Sequence, residues 1–549
     1  MKRLAWFVLI LSVFATAQSQ TPAPQPGSAS GPTADSCKAL TKLTLPNTKI
    51  VQAEQVEAGA FPNPTPPMNG RSAAADATYK GLPPFCRVTA TLTPSADSDI
   101  KMEVWMPARG WNGKFRGQGN GGFAGQIDYD HLAWSISQGY ATGGTDTGHT
   151  GGGTDAAWAL NHPEKIADFG WRAIHEMTDK SKAIIKAYYS APAAHSYFAS
   201  CSDGGREALM EAQRFPADYD GIIAGAPANN WTGLMTNALH NTLALADEGS
   251  YIPPSKLPAI SAAVTAACDK LDGVADGVLN DPRQCHFDPD SMLCKDTDSN
   301  ACLTAPQSTA LKTLYAGIND SNGKLIFPGY LPGAEEGFNG WGTWITGPQA
   351  EKSLMYAFGY NYFSVMVYDD PAWDYKSFKT DESYKAARTK TSQMLDSTDP
   401  NLKPFADRGG KLILYHGWND PAISALSTID YYQKMQSATG KQKAESFARL
   451  YMAPGLQHCF LGPGPDSFGQ YGWAPEDQAT DPQHNMYSAL EQWVEKGTAP
   501  DKLIATQYAG EGAKRHAAVT RPLCPYPQAA KYKGTGDPND EANFACSAK

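Results

Sequence analysis

The sequence predicts an α/β fold built on a wound, mostly parallel sheet. A stretch with helical periodicity at 171–188 precedes a short apolar strand at 196–200 and a tight glycine-rich turn, which is the rhythm of strands joined by crossover helices. Two segments at 87–93 and 100–106 alternate in the manner of strands and predict an antiparallel entry into the sheet. A buried-strand run at 410–417 indicates that the sheet resumes late in the chain.

The N-terminus has the pattern of an export signal. Two basic residues precede an apolar run from Leu4 to Phe14, and small residues ending at Ala17 supply a cleavage site. The run is shorter than the roughly 20 apolar residues that cross a bilayer. We therefore expect residues 1–17 to be a cleaved signal peptide and the protein to be secreted or periplasmic, without stable membrane insertion. Residues 18–36 are mostly Pro, Gly, Ser, Ala and Thr and predict a flexible leader.

One catalytic domain with a large insertion accounts for the rest of the chain. Residues 37–240 hold its first part. From 241 to 399 the strand and helix order decays into a stretch rich in Trp, Tyr, Gly and Pro, which we assign to a lid domain. Residues 400–549 return to the first pattern, with a helix at 422–435 and a last clear strand at 449–455.

A candidate nucleophile lies in the turn after the strand 196–200. Ser202 stands within Ser200-Cys-Ser-Asp-Gly-Gly205, between an apolar strand and a helix-like stretch. A nucleophile elbow strains the backbone of its serine, so the residues two positions either side must be small, as Ser200 and Gly204 are. The general pattern has glycine at the first of these positions, and an ordinary glycine-rich turn is the alternative interpretation.

Asp420 and His458 favour the elbow. Each follows a predicted late strand, and with Ser202 they stand in the Ser, Asp, His order of α/β-hydrolases. We therefore expect an α/β-hydrolase core with a large lid-domain insertion, in which Asp420 orients His458 and His458 takes the proton of Ser202. His416 and His149 are rival bases. His416 is better explained as a satisfied group at a strand end, and His149 lies upstream of the serine.

Backbone amides are the expected donors to an oxyanion. The amide that follows the nucleophile, that of Asp203, is one of them. The early loop Gly119-Asn-Gly-Gly122 supplies the others, because Gly121 and Gly122 expose N–H groups without a side chain in the way. A tight turn without function is the alternative interpretation of these glycines.

Charge and cysteine content narrow the chemistry. The net charge of -10 includes no basic block, so the usual footprint of a nucleic-acid partner is missing, and small molecules or neutral polymers are expected instead. Ten cysteines, an even number in a chain with an export signal, favour five disulfides. Zinc binding is the competing interpretation, but no C-x2-C pair occurs. The pattern carries no prediction of oligomeric state.

Longer motifs carry a family resemblance. They are Trp111-Asn-Gly-Lys-Phe115 with Gly119-Asn-Gly-Gly122, Gly139-Tyr-Ala-Thr-Gly-Gly-Thr-Asp-Thr-Gly-His149, Cys201-Ser-Asp-Gly-Gly205, Pro216-Ala-Asp-Tyr-Asp-Gly-Ile-Ile-Ala-Gly-Ala-Pro227, His416-Gly-Trp-Asn-Asp420 and His458-Cys459. From Cys37 onward the chain resembles the tannase and feruloyl esterase family, which also contains the enzyme hydrolysing mono(2-hydroxyethyl) terephthalate. The resemblance implies a serine carboxylic-ester hydrolase that forms an acyl-enzyme. It further implies aromatic substrates, namely feruloyl (hydroxycinnamoyl) or galloyl esters, as small molecules or linked to plant polymers.

The same resemblance implies the disulfides and a structural calcium ion. The implied pairs are Cys37–Cys86, Cys201–Cys459, Cys268–Cys285, Cys294–Cys302 and Cys524–Cys546. The implied calcium ligands lie in the lid and are the carboxylates of Asp269, Asp272 and Asp276 with the backbone oxygens of Val274 and Val278. A solvated acidic turn is the alternative interpretation of this segment.

Substrate contacts are expected from the lid and from the loop after Asp420. Lid aromatics are candidates for an apolar slot, although such a stretch is at least as often lid core; they are Trp341, Trp344, Tyr356, Phe358, Tyr360, Tyr362 and Phe363. We take Trp344 as a candidate contact, and the resemblance adds Ile423.

The terephthalate monoester is an alternative substrate. It carries a carboxylate that calls for a cation, but Lys352 is the only basic residue between 340 and 370. An exported serine peptidase and an inactive, calcium-stabilised binding protein are the alternatives of other classes.

Overall fold

The computed structural model describes residues 32–62, 78–470, 480–510 and 514–548. The predicted signal peptide and residues 18–31 of the predicted leader lie outside the described residues. The end of that leader is helical, because Thr33 caps a helix over Ala34–Ala39. The leader prediction therefore extends too far at its C-terminal end.

Strands and helices alternate in the middle of the first half of the chain, and strands follow one another directly near its two ends. The strands are β1 (Thr48–Val56), β2 (Phe85–Leu92), β3 (Ile100–Pro107), β4 (Lys114–Gly117), β5 (Ala141–Thr145), β6 (His195–Cys201), β7 (Gly221–Gly225), β8 (Gly317–Asn319), β9 (Leu325–Pro328), β10 (Lys411–Gly417), β11 (Ala448–Ala453), β12 (Leu503–Ala509), β13 (His516–Leu523), β14 (Ala529–Tyr532) and β15 (Phe544–Ser547). The α-helices described over their full length include α1 (Ala34–Ala39), α2 (Tyr129–Ser137), α3 (Pro163–Ala167), α4 (Ala173–Tyr189), α5 (Asp203–Arg214), α6 (Trp231–Ala246), α7 (Leu257–Cys268), α8 (Ala305–Ala316), α9 (Trp341–Trp344), α10 (Leu354–Asn361), α11 (Thr380–Leu395), α12 (Lys403–Asp407), α13 (Ala425–Thr439), α14 (Lys441–Phe447) and α15 (Met486–Lys496).

A mixed sheet of nine strands forms the centre of the described part. Its strand order is β1-β2-β3-β5-β4-β6-β7-β10-β11. The pairs from β1 to β5 in this order are antiparallel, as predicted for the entry, and all later pairs are parallel. Every residue of β7 is buried, as expected for a parallel strand covered by helices on both faces. This is the predicted α/β-hydrolase architecture.

The predicted lid lies between two neighbouring strands of the central sheet. Strands β7 and β10 are hydrogen-bonded neighbours, so the segment 226–410 lies between two adjacent parallel strands. The predicted lid boundary after residue 240 falls inside α6 (Trp231–Ala246), whose apolar face packs in one cluster with the insertion residues Met355 and Phe363.

The strand predicted at 449–455 is present as β11 (Ala448–Ala453), but it is not the last strand of the chain. Strands β12 and β13 form one antiparallel pair, and β14 and β15 form another. Both pairs lie outside the central sheet. In the part of the chain that the structure describes, no helix has the length and apolar character needed to cross a membrane.

Candidate active site

Ser202 sits at the turn between β6 and α5, in the strained backbone expected of an elbow. Its φ of 67° and ψ of -123° place it in a region that side chains rarely adopt. Its N–H donates to the carbonyl of Gly225 at 2.9 Å. A Cβ at position 204 would lie 1.9 Å from the hydroxyl of Ser200, so glycine is required there for the strand and helix to approach this closely.

The structure brings Ser202, His458 and Asp420 into one hydrogen-bonded chain. His458 follows β11 and Asp420 follows β10, so both side chains come from loops at the carboxyl ends of parallel strands. The hydroxyl of Ser202 lies 2.8 Å from Nε2 of His458. Nδ1 of His458 donates to Oδ2 of Asp420 at 2.8 Å. A serine whose proton faces an imidazole with a buried carboxylate behind it can act as a nucleophile.

Asp420 is fully buried and held as a carboxylate. Its Oδ1 accepts the N–H groups of Ala422 at 2.8 Å and Ile423 at 2.9 Å. Burial tends to raise the pKa of Asp420, but the neighbouring rings of His458 and His416 outweigh this and hold the pKa well below its usual range. The carboxylate therefore stays ionised and favours a positive charge on His458.

The two rival histidines have other partners. Nδ1 of His416 pairs with the hydroxyl of Thr428 at 2.7 Å, and its Nε2 lies 3.0 Å from the carbonyl of Ile423 and 3.1 Å from Asp420. His149 donates from Nε2 to the carbonyl of Phe123 at 2.7 Å, and burial lowers its pKa to about 4. Among the described residues, neither ring is hydrogen-bonded to Ser202.

The glycine-rich loop is attached directly to the helix that follows Ser202. The N–H of Gly204 donates to the carbonyl of Asn120 at 2.8 Å, and the N–H of Asn120 donates to Oε2 of Glu207 at 2.8 Å. The amides of the three predicted oxyanion donors, Asp203, Gly121 and Gly122, have no acceptor within the described residues.

A wall of aromatic rings adjoins His458. The ring of Trp344 meets the His458 ring edge to face, with centroids 4.9 Å apart. Asn339 ties these two residues together, since it accepts from the Trp344 indole at 2.7 Å and donates to the His458 carbonyl at 3.1 Å. Phe358 stacks against Trp344 and meets Phe123 edge to face.

The other predicted contacts are distributed differently. Ile423 is buried in the same apolar cluster as Phe123 and the Trp344 side chain. Trp341 is instead fully buried in the lid between tyrosines, and Tyr362 is buried in lid core. Sequence reasoning missed Phe123 and Asn339. The position of Phe123 immediately after Gly122 was the one available signal.

Five disulfides connect the pairs that the resemblance implies. The bond between Cys201 and Cys459 joins the residue before Ser202 to the residue after His458. Its Cα atoms are 6.1 Å apart, within the usual range for a disulfide. The chain positions of Ser202 and His458 are therefore covalently tied together.

The predicted calcium segment forms a loop closed by Cys268–Cys285. Asp272 and Asp276 accept N–H groups from the backbone of their own loop, and Asp276 also pairs with Arg521 at 2.6 Å. Burial raises the pKa of Asp272 to about 6, with Asp276 and Asp269 adding to the effect. The three aspartates do not offer oxygens that all lie within 4.8 Å of one another in the described structure.

Comparison with known proteins places these features in a family. Residues 86–547 match the family model for tannase and feruloyl esterase. The chain is 38% identical to an uncharacterized esterase of Xanthomonas campestris pv. campestris over 93% of this chain and 91% of that one. It is 31% identical to a probable feruloyl esterase B-1 of Aspergillus terreus over 92% and 93% of the two chains.

A solved structure agrees with the sequence comparison. The crystal structure of feruloyl esterase B from Aspergillus oryzae superimposes with a TM-score of 0.83 at 28% identity, covering 94% of this chain and all of that one. The fold, the family model and the relatives point to the same chemistry. The chain belongs to the tannase and feruloyl esterase family and is a carboxylic ester hydrolase.

Proposed function

We propose that the protein is an exported serine esterase of aromatic carboxylic esters, with Ser202 as nucleophile, His458 as general base and Asp420 as its orienting carboxylate. The observation that carries this proposal is the unbroken hydrogen-bonded chain from the Ser202 hydroxyl through His458 to Asp420, at 2.8 Å in each link. The strained backbone of Ser202 supports it, because such strain is retained at functional sites.

The chemistry follows from the order of these groups. Nε2 of His458 takes the Ser202 proton while Oγ bonds to the ester carbonyl carbon, and the carbonyl oxygen becomes negative. The ester C–O bond then breaks, the leaving alcohol receives the proton from His458, and the acyl group stays on Ser202. His458 then deprotonates a water molecule, which attacks the acyl carbon; the bond from that carbon to Ser202 Oγ breaks, and His458 returns the proton to Oγ as the acid leaves. The ionised Asp420 stabilises the imidazolium in both halves of the reaction.

The negative oxygen needs donors that are already in place. We assign this role to the amides of Asp203, Gly121 and Gly122, which have no acceptor in the described structure. Loss of one such donor costs about 10²–10³ in kcat in a serine hydrolase. The bond from Gly204 to Asn120 supports the assignment, since it holds the glycine loop against the elbow.

An aromatic acyl group suits the surroundings of the triad. Trp344, Phe358 and Phe123 form a continuous set of ring contacts that begins at His458, and Ile423 joins the same cluster. Aromatic faces and edges pack well against a planar ring. Two of the relatives are named as feruloyl esterases, which supports hydroxycinnamoyl esters as substrates, and the family model, which is also described as tannase, supports galloyl esters.

A terephthalate monoester is the second candidate substrate. Its free carboxylate calls for a cation, and Lys352 is the only basic residue in the aromatic stretch from 340 to 370. Lys352 is exposed rather than directed into the buried aromatic cluster. We therefore rank this substrate below the feruloyl and galloyl esters.

A substrate panel tests the proposal. Methyl ferulate, methyl gallate, mono(2-hydroxyethyl) terephthalate and a peptide anilide are compared on the wild type, S202A and the matched control S200A, which removes a hydroxyl two residues away. We expect turnover of the methyl esters by the wild type and S200A, and none by S202A. Preference for the anilide would make the protein a peptidase, and no turnover of any substrate would favour an inactive binding protein.

We also propose that the loop holding Asp269, Asp272 and Asp276 binds a structural calcium ion. Three carboxylates and the backbone oxygens of Val274 and Val278 form a donor set of oxygens only, which suits a hard cation. Burial, with Asp276 and Asp269 adding to it, raises the pKa of Asp272 to about 6, so a bound cation would stabilise its ionised form. The ion would fix the loop and take no part in the ester chemistry.

Export is the remaining element of the proposal. The N-terminal pattern and five disulfides in the described residues both suit an oxidising compartment. Expression of the full chain followed by N-terminal sequencing of the exported protein tests it. We expect a mature chain that begins at Gln18, and recovery of uncleaved protein only from the cytoplasm would contradict the proposal.

A further inference from the structure

The buried carboxyl group of Glu207 contacts the glycine loop from the side of helix α5. Glu207 lies in the second turn of α5 and is 1% exposed. Its Oε2 accepts the N–H of Asn120 at 2.8 Å. A Cβ at position 119 would lie 2.6 Å from the same oxygen, so Gly119 is what permits this approach. The reaction scheme above gives Glu207 no role.

Asn120 is held by four hydrogen bonds. Besides the bond to Glu207, its carbonyl accepts from Gly204, and its side-chain amide donates to the carbonyls of Gln126 at 3.0 Å and Thr145 at 2.9 Å. The Asn120 carbonyl and the Gly121 N–H belong to one planar peptide. The direction of the Gly121 N–H therefore depends on where Asn120 is held.

We propose that Glu207 is a positioning residue of the oxyanion site, whose carboxyl group holds the Asn120 amide so that the Gly121 and Gly122 amides meet the negative oxygen formed on attack by Ser202. This inference rests on the proposed function and deepens it. Glu207 touches no reacting atom and acts through the loop.

The surroundings of Glu207 favour a neutral carboxyl group. Burial raises its pKa to about 8, and the nearby carboxylate of Asp203 adds to this while Arg206 partly offsets it. The guanidinium of Arg206 is directed to Asp203 at 2.6 Å, and the other titratable neighbours, Glu211 and Tyr219, supply no positive charge. Oε1 of Glu207 has no hydrogen-bond partner among the described residues.

A neutral group under the loop suits the reaction. A carboxylate at this depth would oppose the negative charge that develops on the substrate oxygen, since charges interact strongly in a low-dielectric interior. A neutral acid accepts the Asn120 N–H without that opposition. Glutamine at position 207 keeps a neutral carbonyl acceptor, so E207Q should still hold the Asn120 N–H. Methionine is similar in size but has no such acceptor, so E207M should not hold it.

The experiment compares E207M and E207Q with the matched control E211Q, which alters another buried glutamate one turn further along α5 that does not contact the loop. Each is assayed on an aryl ester and on the thionoester with the same acyl group, because sulfur is a poor acceptor for oxyanion donors. We expect the kcat of E207M on the oxygen ester to fall about tenfold or more, with KM nearly unchanged. This is less than the loss of about 10²–10³ that follows removal of a whole oxyanion donor, because the donors would be displaced rather than removed. The ratio of oxygen-ester to thionoester rates should fall with it.

The controls separate positioning from folding. E207Q and E211Q should keep the wild-type ratio at pH 7. The wild type should lose kcat as pH rises through about 8, as Glu207 ionises, and E207Q should not. An unchanged ratio in E207M, or a ratio in E207Q as low as in E207M, would overturn the inference.

Two outcomes cover the remaining cases. If E207M does not fold, kcat of the wild type and of E207Q is compared above pH 8. The same decline of kcat with pH in both proteins would overturn the inference. Turnover that survives in S202A would instead overturn the proposed function. Turnover that depends on Ser202, combined with an unchanged ratio in E207M, overturns only the role of Glu207.

Discussion

Replacement of Cys201 and Cys459 by serine should reduce turnover more than stability alone explains. The disulfide ties the residue before Ser202 to the residue after His458 across 258 residues of chain. Two further disulfides inside this loop shorten it by spans of 17 and 8 residues, which leaves 233. By the chain-entropy relation, a disulfide that closes a loop of this length adds about 5 kcal/mol to the free energy of unfolding.

The catalytic effect should be separate from this loss. The Ser202–His458 bond is 2.8 Å long, and a misplacement of about 1 Å between reacting groups can cost 10²-fold in rate. We therefore expect kcat per folded molecule to fall at least tenfold while KM changes little. Active-site titration and circular dichroism at 25 °C give the folded fraction, and initial rates on methyl ferulate give kcat.

The matched control is the pair Cys37 and Cys86. That bond spans 49 residues, joins α1 to β2 and has no part in the elbow. Its removal should cost about 4 kcal/mol by the same relation, without a change in kcat. If both double variants show the same kcat per folded molecule, the disulfide beside the triad serves stability only and the reasoning is refuted.

Three further predictions concern the nucleophile, the metal and a buried acid. S202A should lose several powers of ten in kcat with an unaltered thermal midpoint, and retention of a tenth of the wild-type rate would remove Ser202 from the mechanism. Chelation should lower the thermal midpoint of the wild type but not of a D272A/D276A variant, since calcium at 100 times its Kd adds about 2.7 kcal/mol; equal midpoints and metal contents in the two proteins would rule out the site. The raised pKa of Glu207, about 8, means that the folded chain keeps a proton that the unfolded chain releases near pH 4.3, so stability falls as pH rises between these values by up to ~1.4 kcal/mol per unit. Urea unfolding of E207Q should show a flatter decline from pH 5 to 8, and an unchanged slope would contradict the assigned pKa.

The sequence predicted those strands whose alternation or apolar run is regular. Strands β2 and β3 pair antiparallel as expected, and β10 lies where the buried-strand run placed it. Strand β1 escaped prediction because it lies at the sheet edge, has only Ala53 buried and contains a register shift after Ile50. A two-residue period does not survive such an irregularity.

The candidate site was predictable where its chemistry is local in sequence. The small residues around Ser202 mark the elbow, and the order of Asp420 and His458 gives them their roles as candidates. Glu207 was not predictable, because its partner Asn120 lies 87 residues away and a lone glutamate in a helix reads as a surface residue. Asn339 lies 119 residues from His458 and was missed for the same reason.

The geometry of the candidate triad depends on bonds made one or two residues away from each reactive group. The backbone of Ser202 is strained, at a cost of about 1–3 kcal/mol, and such strain persists only where the surroundings over-determine it. Here Cys201 is bonded to Cys459, and Gly204 is hydrogen-bonded to Asn120 of the glycine loop. Each restraint can be removed without touching the Ser202 hydroxyl or the His458 ring. One of them is a disulfide, a bond that forms and persists in oxidising environments, so the serine variants of Cys201 and Cys459 also test whether the active geometry needs such an environment.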